Sequence, residues 1–244
     1  STISDRFISE KVDLILAVAT PAAQAVAGKT STIPILGTAI TDYVEARLAQ
    51  SNEEPGLNVS GTTDMNPIKE QIELLVKLVP DAKTVGVIYN SSEDNSILQA
   101  RIARENIESL GLKYEEVTVS STNDVQQATQ SLVEKCDAIY IPTDNTLATA
   151  MPVVHGVVVK SKTPVICGEE SMVRAGGLAT IGINYYDLGY QTCLMAIEIL
   201  ENEADISKMP IESATKFDFA INGDVAEEIG LTIPEDLAEY VIKE

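Results

Sequence analysis

One unit recurs along the chain. A short run rich in β-branched and apolar residues leads into a turn carrying Thr, Ser, Asp or Pro, and then into a stretch of helical period. The apolar runs fall at residues 12–18, 34–36, 57–59, 84–89, 114–119, 138–141, 164–167, 179–183 and 216–221, and the helical stretches at 21–27, 67–79, 95–110, 124–134 and 188–201. Parallel strands cannot be joined by a tight turn, so strands that alternate with helices of this length specify parallel sheets. Runs such as DLILAVA and DAIYIP are apolar at consecutive positions, as expected of strands covered by helices on both faces. The class is α/β. The punctuation agrees. Asn66-Pro67 puts a proline at a helix start, Gly111 closes a helix, and residues 121–124 (STND) supply a cap cluster.

Composition removes several function classes. The 244 residues carry 17 Lys and Arg against 37 Asp and Glu, and 17 − 37 gives a net charge of −20. Such a surface repels nucleic-acid phosphates and anionic lipids. No apolar run approaches the ~18–20 residues that span a bilayer. A single histidine and three scattered cysteines, Cys136, Cys167 and Cys193, leave no C-x-x-C or H-E-x-x-H spacing, so neither a metal site nor a Cys–His nucleophile is expected. The cysteines read as small core residues. His155 lies in a stretch, 151–160, that reads as a buried helix, and it is assigned a structural role. No G-x-G-x-x-G follows a strand and no phosphate loop is present, so no cofactor is expected. Ser1 reads as a processed or trimmed start, and the compartment cannot be taken from it.

In an open parallel sheet, ligands bind outside the carboxyl ends of the strands. The residues following successive runs include Thr20, Thr38, Thr63 and Asp64, then Ser91, Glu93, Asn95 and Ser96. Thr143, Asp144 and Asn145 come next, followed by Glu169, Glu170 and Tyr185. Any one of the hydroxyl, amide or carboxyl residues suits a helix cap. Gathered on one edge, they present helix N-termini for a carboxylate and acids for an ammonium group, which together suit a zwitterion. Acid–base catalysis is poorly served: adjacent carboxylates such as Glu169 and Glu170 diverge on a loop, and Ser91 and Ser92 have no histidine partner.

The stretches VDLILAVATPAAQ, GTAITD, LVPDAKTVGVIYNSSEDNS, DAIYIPTDN, PVICGEESMVRAGGLATIGINYYDLGYQT and EIGLTIPEDL, in this order, resemble the substrate-binding components of ABC importers of the tryptophan/tyrosine type. The resemblance runs end to end and implies the type I periplasmic-binding fold: two Rossmann-like lobes with parallel sheets and a hinge. It places residues 1–80 and 185–203 in the first lobe, and 81–184 and 204–244 in the second. It implies a receptor that is not an enzyme and that closes on an amino acid, aromatic ones being prominent, before docking on a membrane permease. Carried over by position, Thr20, Thr38, Thr63 and Asp64 line the first lobe. Ser91, Glu93, Asn95, Ser96, Thr143, Asp144, Asn145, Glu169, Glu170 and Tyr185 line the second. Ser91, Asn95 and Ser96 are expected to hold the ligand carboxylate, and Asp144, or Glu169, its ammonium.

Two departures from the family stand out. Its members have a further strand–helix–strand ahead of SDRFISEKVDLILA, so the first lobe is expected to lack its opening unit and to expose apolar edges. Residues 153–159, VVHGVVV, are more apolar and glycine-bearing than a polar surface helix. The resemblance also implies an extracytoplasmic location, periplasmic or as a lipid-anchored lipoprotein. The alternatives are a ligand-sensing module of a receptor or regulator with the same fold, and an α/β hydrolase or transferase. The last requires His155 on the binding edge.

Overall fold

A computed structural model describes residues 2–214 and 216–242. The chain forms two compact units, Ser1–Met65 with Ile183–Lys216, and Asn66–Gly182 with Phe217–Glu244. Unit 1 begins with α1 (Thr2–Glu10), β1 (Ile15–Val18), α2 (Thr20–Ala27), β2 (Ile35–Ile40) and β3 (Val59–Thr63). Unit 2 follows with α3 (Ile68–Leu78), β4 (Thr84–Asn90), α4 (Asp94–Ser109), β5 (Lys113–Val119), α5 (Val125–Val133) and β6 (Ala138–Ile141). It continues through α6 (Asn145–Ser161), β7 (Val165–Cys167), α7 (Glu170–Arg174) and β8 (Ala179–Ile183). The chain returns to unit 1 for α8 (Tyr185–Asn202) and β9 (Glu212–Ser213), then ends in unit 2 with β10 (Phe217–Asn222), α9 (Gly223–Ile229) and β11 (Val241–Ile242).

The unit 1 sheet has the order β1-β2-β3-β9, with every neighbouring pair parallel. Successive residues of a strand face opposite sides. Ile35 of β2 packs with Ala23, Val26 and Tyr43 on one face, while Leu36 packs with Met195 and Ile206 on the other. Full burial of a side chain such as Leu36 contributes roughly 1.5–3 kcal/mol. β2 and β3 approach so closely that a Cβ on Gly61 would lie 2.0 Å from the Gly37 carbonyl oxygen, and Gly61 has φ +144°. Only glycine fits there. β1 is an edge strand, and its Leu16 and Val18 are exposed. Apolar side chains also line one face of α8, where Tyr186, Tyr190, Leu194 and Ile197 are exposed at intervals of three and four residues.

The unit 2 sheet has the order β11-β10-β8-β7-β6-β4-β5. Its core joins Ile88, Ile139 and Ile141 to Leu147, Met151, Val154 and Val158 along α6. The apolar 153–159 segment is therefore part of a regular helix. Val154 and Val158 point inward four residues apart, and Val153 and Gly156 face outward. Cys136 and Cys167 are buried, as expected, and burial pushes the Cys136 thiol up to about 11. Cys193, also expected in the core, is exposed on α8.

The units divide differently from the expected lobes around α3 and residues 204–216, and unit 1 resumes at Ile183, two residues earlier than expected. α3, expected in the first lobe with residues 1–80, belongs to unit 2. There Gln71 is fully buried, donates to the Gly168 and Ile181 carbonyls, and accepts from the Tyr140 hydroxyl. Residues 204–216, expected in the second lobe, stay in unit 1 because β9 pairs with β3 and Ile206 packs on Leu36. Strands also run on past the apolar runs. β2 continues through Thr38 to Ile40 and β3 through Thr62 to Thr63, so Thr38 and Thr63 lie within strands and not in the loops after them.

Candidate functional site

At the carboxyl edge of the unit 1 sheet the threonines form a hydroxyl ladder across the strands. Thr62 Oγ1 donates to Thr38 Oγ1 at 3.1 Å and lies 2.8 Å from Thr192 Oγ1 of α8. Thr63 Oγ1 donates to the Thr41 carbonyl at 2.7 Å. Next to it sits Asp64, 2% exposed. Its Oδ1 accepts from Thr41 Oγ1 at 3.1 Å and its Oδ2 from the Tyr185 hydroxyl at 2.9 Å. Tyr185, expected in the second lobe, thus belongs to unit 1 together with Asp64. The Tyr43 hydroxyl donates to the Thr62 carbonyl at 3.0 Å, and its pKa is pushed far up by burial and then by the Asp64 charge. Thr20 opens α2 and is 2% exposed, and its Oγ1 has no hydrogen-bond partner. Ala19 before it has φ 73° and ψ 151°, a conformation almost confined to glycine.

In unit 2 the predicted residues converge, but mainly on one another. The Glu93 carboxylate, 6% exposed, accepts from Asn145 N and Nδ2, Thr146 N and Oγ1, and Asn90 Nδ2. It draws the start of α6 against the turn between β4 and α4. Asp144 is the N-cap of α6. Its Oδ1 accepts from Leu147 N at 2.8 Å and its Oδ2 from Asn90 N at 2.6 Å, with 1% exposure. Burial raises its pKa, with the Asn90 N–H acting against that shift. Both oxygens therefore serve backbone amides, and the expected ammonium role gives way to a structural one. Glu169 fares likewise as the N-cap of α7, accepting from Ser171 N, Ser171 Oγ and Met172 N. Glu170 is half-buried and paired with Arg174.

The expected carboxylate cradle of Ser91, Asn95 and Ser96 is not assembled as one surface. Ser91 is exposed and its Oγ reaches the Val119 carbonyl at 3.5 Å, whereas Ser96 is fully buried. Asn95 is buried and donates to the Thr143 carbonyl at 3.0 Å, leaving its Oδ1 without a partner. Thr143 is fixed from two further sides, by Gln99 on its backbone and by Asn66 Nδ2 on its hydroxyl. Gln99, Asn66, Asn90 and Gln71 are not among the site residues expected from the sequence. Each is a polar residue with a partner 44 or more residues away, beside the local contacts of Asn90 and Gln99. No local spacing signals such a pairing.

His155 sits ten residues into α6, about 15 Å along the helix from its first residue. Its Nδ1 lies 3.3 Å from the Gly176 carbonyl oxygen and its Nε2 3.5 Å from Glu228. The nucleophile–base reading therefore loses its only imidazole.

The family model described as ABC transporter substrate binding protein matches residues 1–243. A tyrosine-binding protein of Clostridioides difficile (strain R20291) is 41% identical over 241 residues, covering 98% of this chain and 70% of that protein. Among solved structures, an ABC domain in complex with L-Trp from Streptococcus pneumoniae shares 37% identity at a TM-score of 0.95, covering 99% of this chain and 82% of that one. A substrate-binding protein with adhesive properties from Clostridium difficile, in a ligand-free, open structure, shares 42% identity at a TM-score of 0.74, with the same coverages of 99% and 82%.

Proposed function

The chain belongs to the ABC transporter substrate-binding protein family, and from that premise we propose that it captures an aromatic amino acid outside the cytoplasmic membrane and delivers it to a membrane permease. It does so as a receptor without catalysis of its own. The observation that carries this reading is the Asp64 cluster. Asp64 is held at the carboxyl edge of a parallel sheet, where α/β proteins bind small ligands, with the Thr41 and Tyr185 hydroxyls among its partners. Asp64 is thus the acid of this edge suited to an ammonium group. The relatives support an aromatic side chain on the ligand, since one is named for tyrosine and one was solved with L-Trp.

The test is isothermal titration calorimetry of the purified chain with L-tyrosine, L-tryptophan, L-phenylalanine, L-leucine and L-glutamate. Micromolar or tighter affinity, about −8 kcal/mol or beyond, is expected for at least one aromatic amino acid, with the others at least tenfold weaker. Preference for leucine or glutamate, or no binding of any of the five, would defeat the proposal.

A further inference from the structure

α5 and α6 lie side by side in unit 2 and leave an open groove of about 570 Å³ between them. Val153, Gly156 and Val157 of α6 form one wall, and Gln126, Gln130 and Val133 of α5 the other. Spacings of three and four residues put each set on one face of its helix. The α6 wall belongs to the apolar 153–159 segment. Its inward residues Val154 and Val158 fill the core, whereas Val153 and Gly156 face solvent.

Two residues on this face work against the helix that carries them. Pro152, inside α6 and also at the groove, has no N–H for the helix ladder, and a glycine in a helix interior is less favourable than alanine. The fold does not ask for glycine at 156, because an added Cβ would meet nothing within 4 Å. A missing side chain on an outer helix face lets a second helix approach closely there.

The charge of the groove is an independent observation. The chain carries 37 Asp and Glu, yet none lines this groove, and the one charged residue lining it is Lys160 at its end. Two copies of net charge −20 repel each other, so they meet at least cost over a face without acids. The other exposed apolar face, on α8, runs among Asp187, Glu198 and Glu201. The groove is also its own chemical complement. Apolar side chains suit apolar side chains, and a glutamine amide both donates and accepts, so glutamine pairs with glutamine. A contact about a twofold axis needs that property.

We infer that this groove is the contact face of a homodimer, with a second copy seated on it about a twofold axis at Gly156. The axis sets the two α6 helices antiparallel and brings Lys160 beside Pro152 across the contact. The two Lys160 positions are then about 12 Å apart along the helix axes, beyond the screening length of about 8 Å at physiological salt. The inference goes beyond the transport reading and does not depend on the ligand.

The experiment is analytical ultracentrifugation of the purified chain from about 10 to 500 µM, since small interfaces are weak. Wild type should pass from monomer to dimer over this range, with more dimer in about 0.5 M than in about 0.05 M NaCl, because salt screens the repulsion. Gly156→Glu sets two carboxylates on the axis and Gly156→Lys two ammonium groups, and each should weaken dimerisation at least about tenfold. Both should melt at or above the wild-type temperature, because a helix glycine has been replaced. An equimolar mixture of the two should recover the dimer, and Tyr190→Glu on α8 should dimerise as wild type does. A wild-type chain that stays monomeric at the highest concentration in high salt would overturn the inference. So would a Gly156→Glu chain that still dimerises, a mixture that stays monomeric, or a dimer lost with Tyr190→Glu. A Gly156→Glu chain that melts well below wild type would overturn it as well, since the glycine would then serve the fold.

Discussion

Glu93 was expected at the ligand, and the structure gives it to the fold. The consequence can be measured by Glu93→Ala. The substitution removes the acceptor for the first two backbone amides of α6, Asn145 N and Thr146 N, and for three side-chain donors. The side-chain donors can turn toward water, so the backbone amides dominate the cost. Two hydrogen bonds to a charged acceptor, at about 1.5–3 kcal/mol each, set an upper range near 3–6 kcal/mol. Loss of negative charge at the helix start adds roughly 0.3–1 kcal/mol. Water reaching the exposed side of Asn145 and the relief of burying a carboxylate offset part of this, leaving a net loss of about 2–4 kcal/mol. For a unit of this size that is a fall in melting temperature of roughly 5–15 °C. Urea unfolding followed by far-UV circular dichroism reads the free energy directly, with an unchanged slope showing that the unfolded state is unaffected. Glu93→Gln sharpens the test. All five partners are donors, so an amide NH2 in place of one oxygen must face a donor, and Gln should recover less than half of the loss. A Glu93→Ala protein within about 0.5 kcal/mol of wild type, or a Glu93→Gln protein indistinguishable from it, would refute the assignment.

Two acids should respond to pH with opposite signs. Asp124 closes a capping box in which Ser120 and Ser121 donate to it, and these bonds lower its pKa below 3.8. Its contribution should be present above the unfolded value and lost as pH falls through the folded one, so Asp124→Asn should destabilise at pH 6 and converge on wild type in acid melts. Asp144 has a raised folded pKa, so its protonation favours the folded state, an advantage fully present below the unfolded value and lost as pH rises through the folded one. The stability of wild type relative to Asp144→Asn should therefore improve on acidification from pH 6, and a gap that widens the other way would contradict the assignment. Gly61→Ala forces a Cβ onto the Gly37 carbonyl oxygen at a φ of +144°, and should cost more than about 3 kcal/mol or abolish folding of unit 1. A melting temperature within about 3 °C of wild type, roughly the effect of 1 kcal/mol, would show that the strands can separate there.

The alternation of apolar runs and helical stretches made the α/β class legible, because period and length are local properties. Strand ends were less so. Thr38, Thr62 and Thr63 look like turn residues in sequence, yet they extend β2 and β3 because their hydroxyls bond to neighbouring strands and to α8. The candidate edge residues lie within or just past the ends of strands, and their tasks were not readable. Asp64, Asp144 and Glu169 are each an acid just past a strand. Asp144 and Glu169 cap helices through their amides, whereas the Thr41 and Tyr185 hydroxyls donate to Asp64. That distinction depends on partners from distant segments, such as Tyr185 for Asp64, 121 residues later. The division after Met65 was hidden for the same reason. Gln71 commits α3 to unit 2 through partners near residues 140, 168 and 181.

The order of the unit 1 sheet sets a timetable for the growing chain. Leu36 is covered by Met195 and Ile206, and β3 gains its outer neighbour only at Glu212. Between Leu36 and Met195 lie 195 − 36 = 159 residue steps. At about 5–20 residues per second, a ribosome needs roughly 10–30 s to add them. Throughout that interval Leu36 has Leu14 from its own cluster but lacks Met195 and Ile206. Unit 1, whose strands β1 to β3 precede those of unit 2, thus closes only once α8 and β9 have been made, and so is interleaved with unit 2 rather than finished ahead of it.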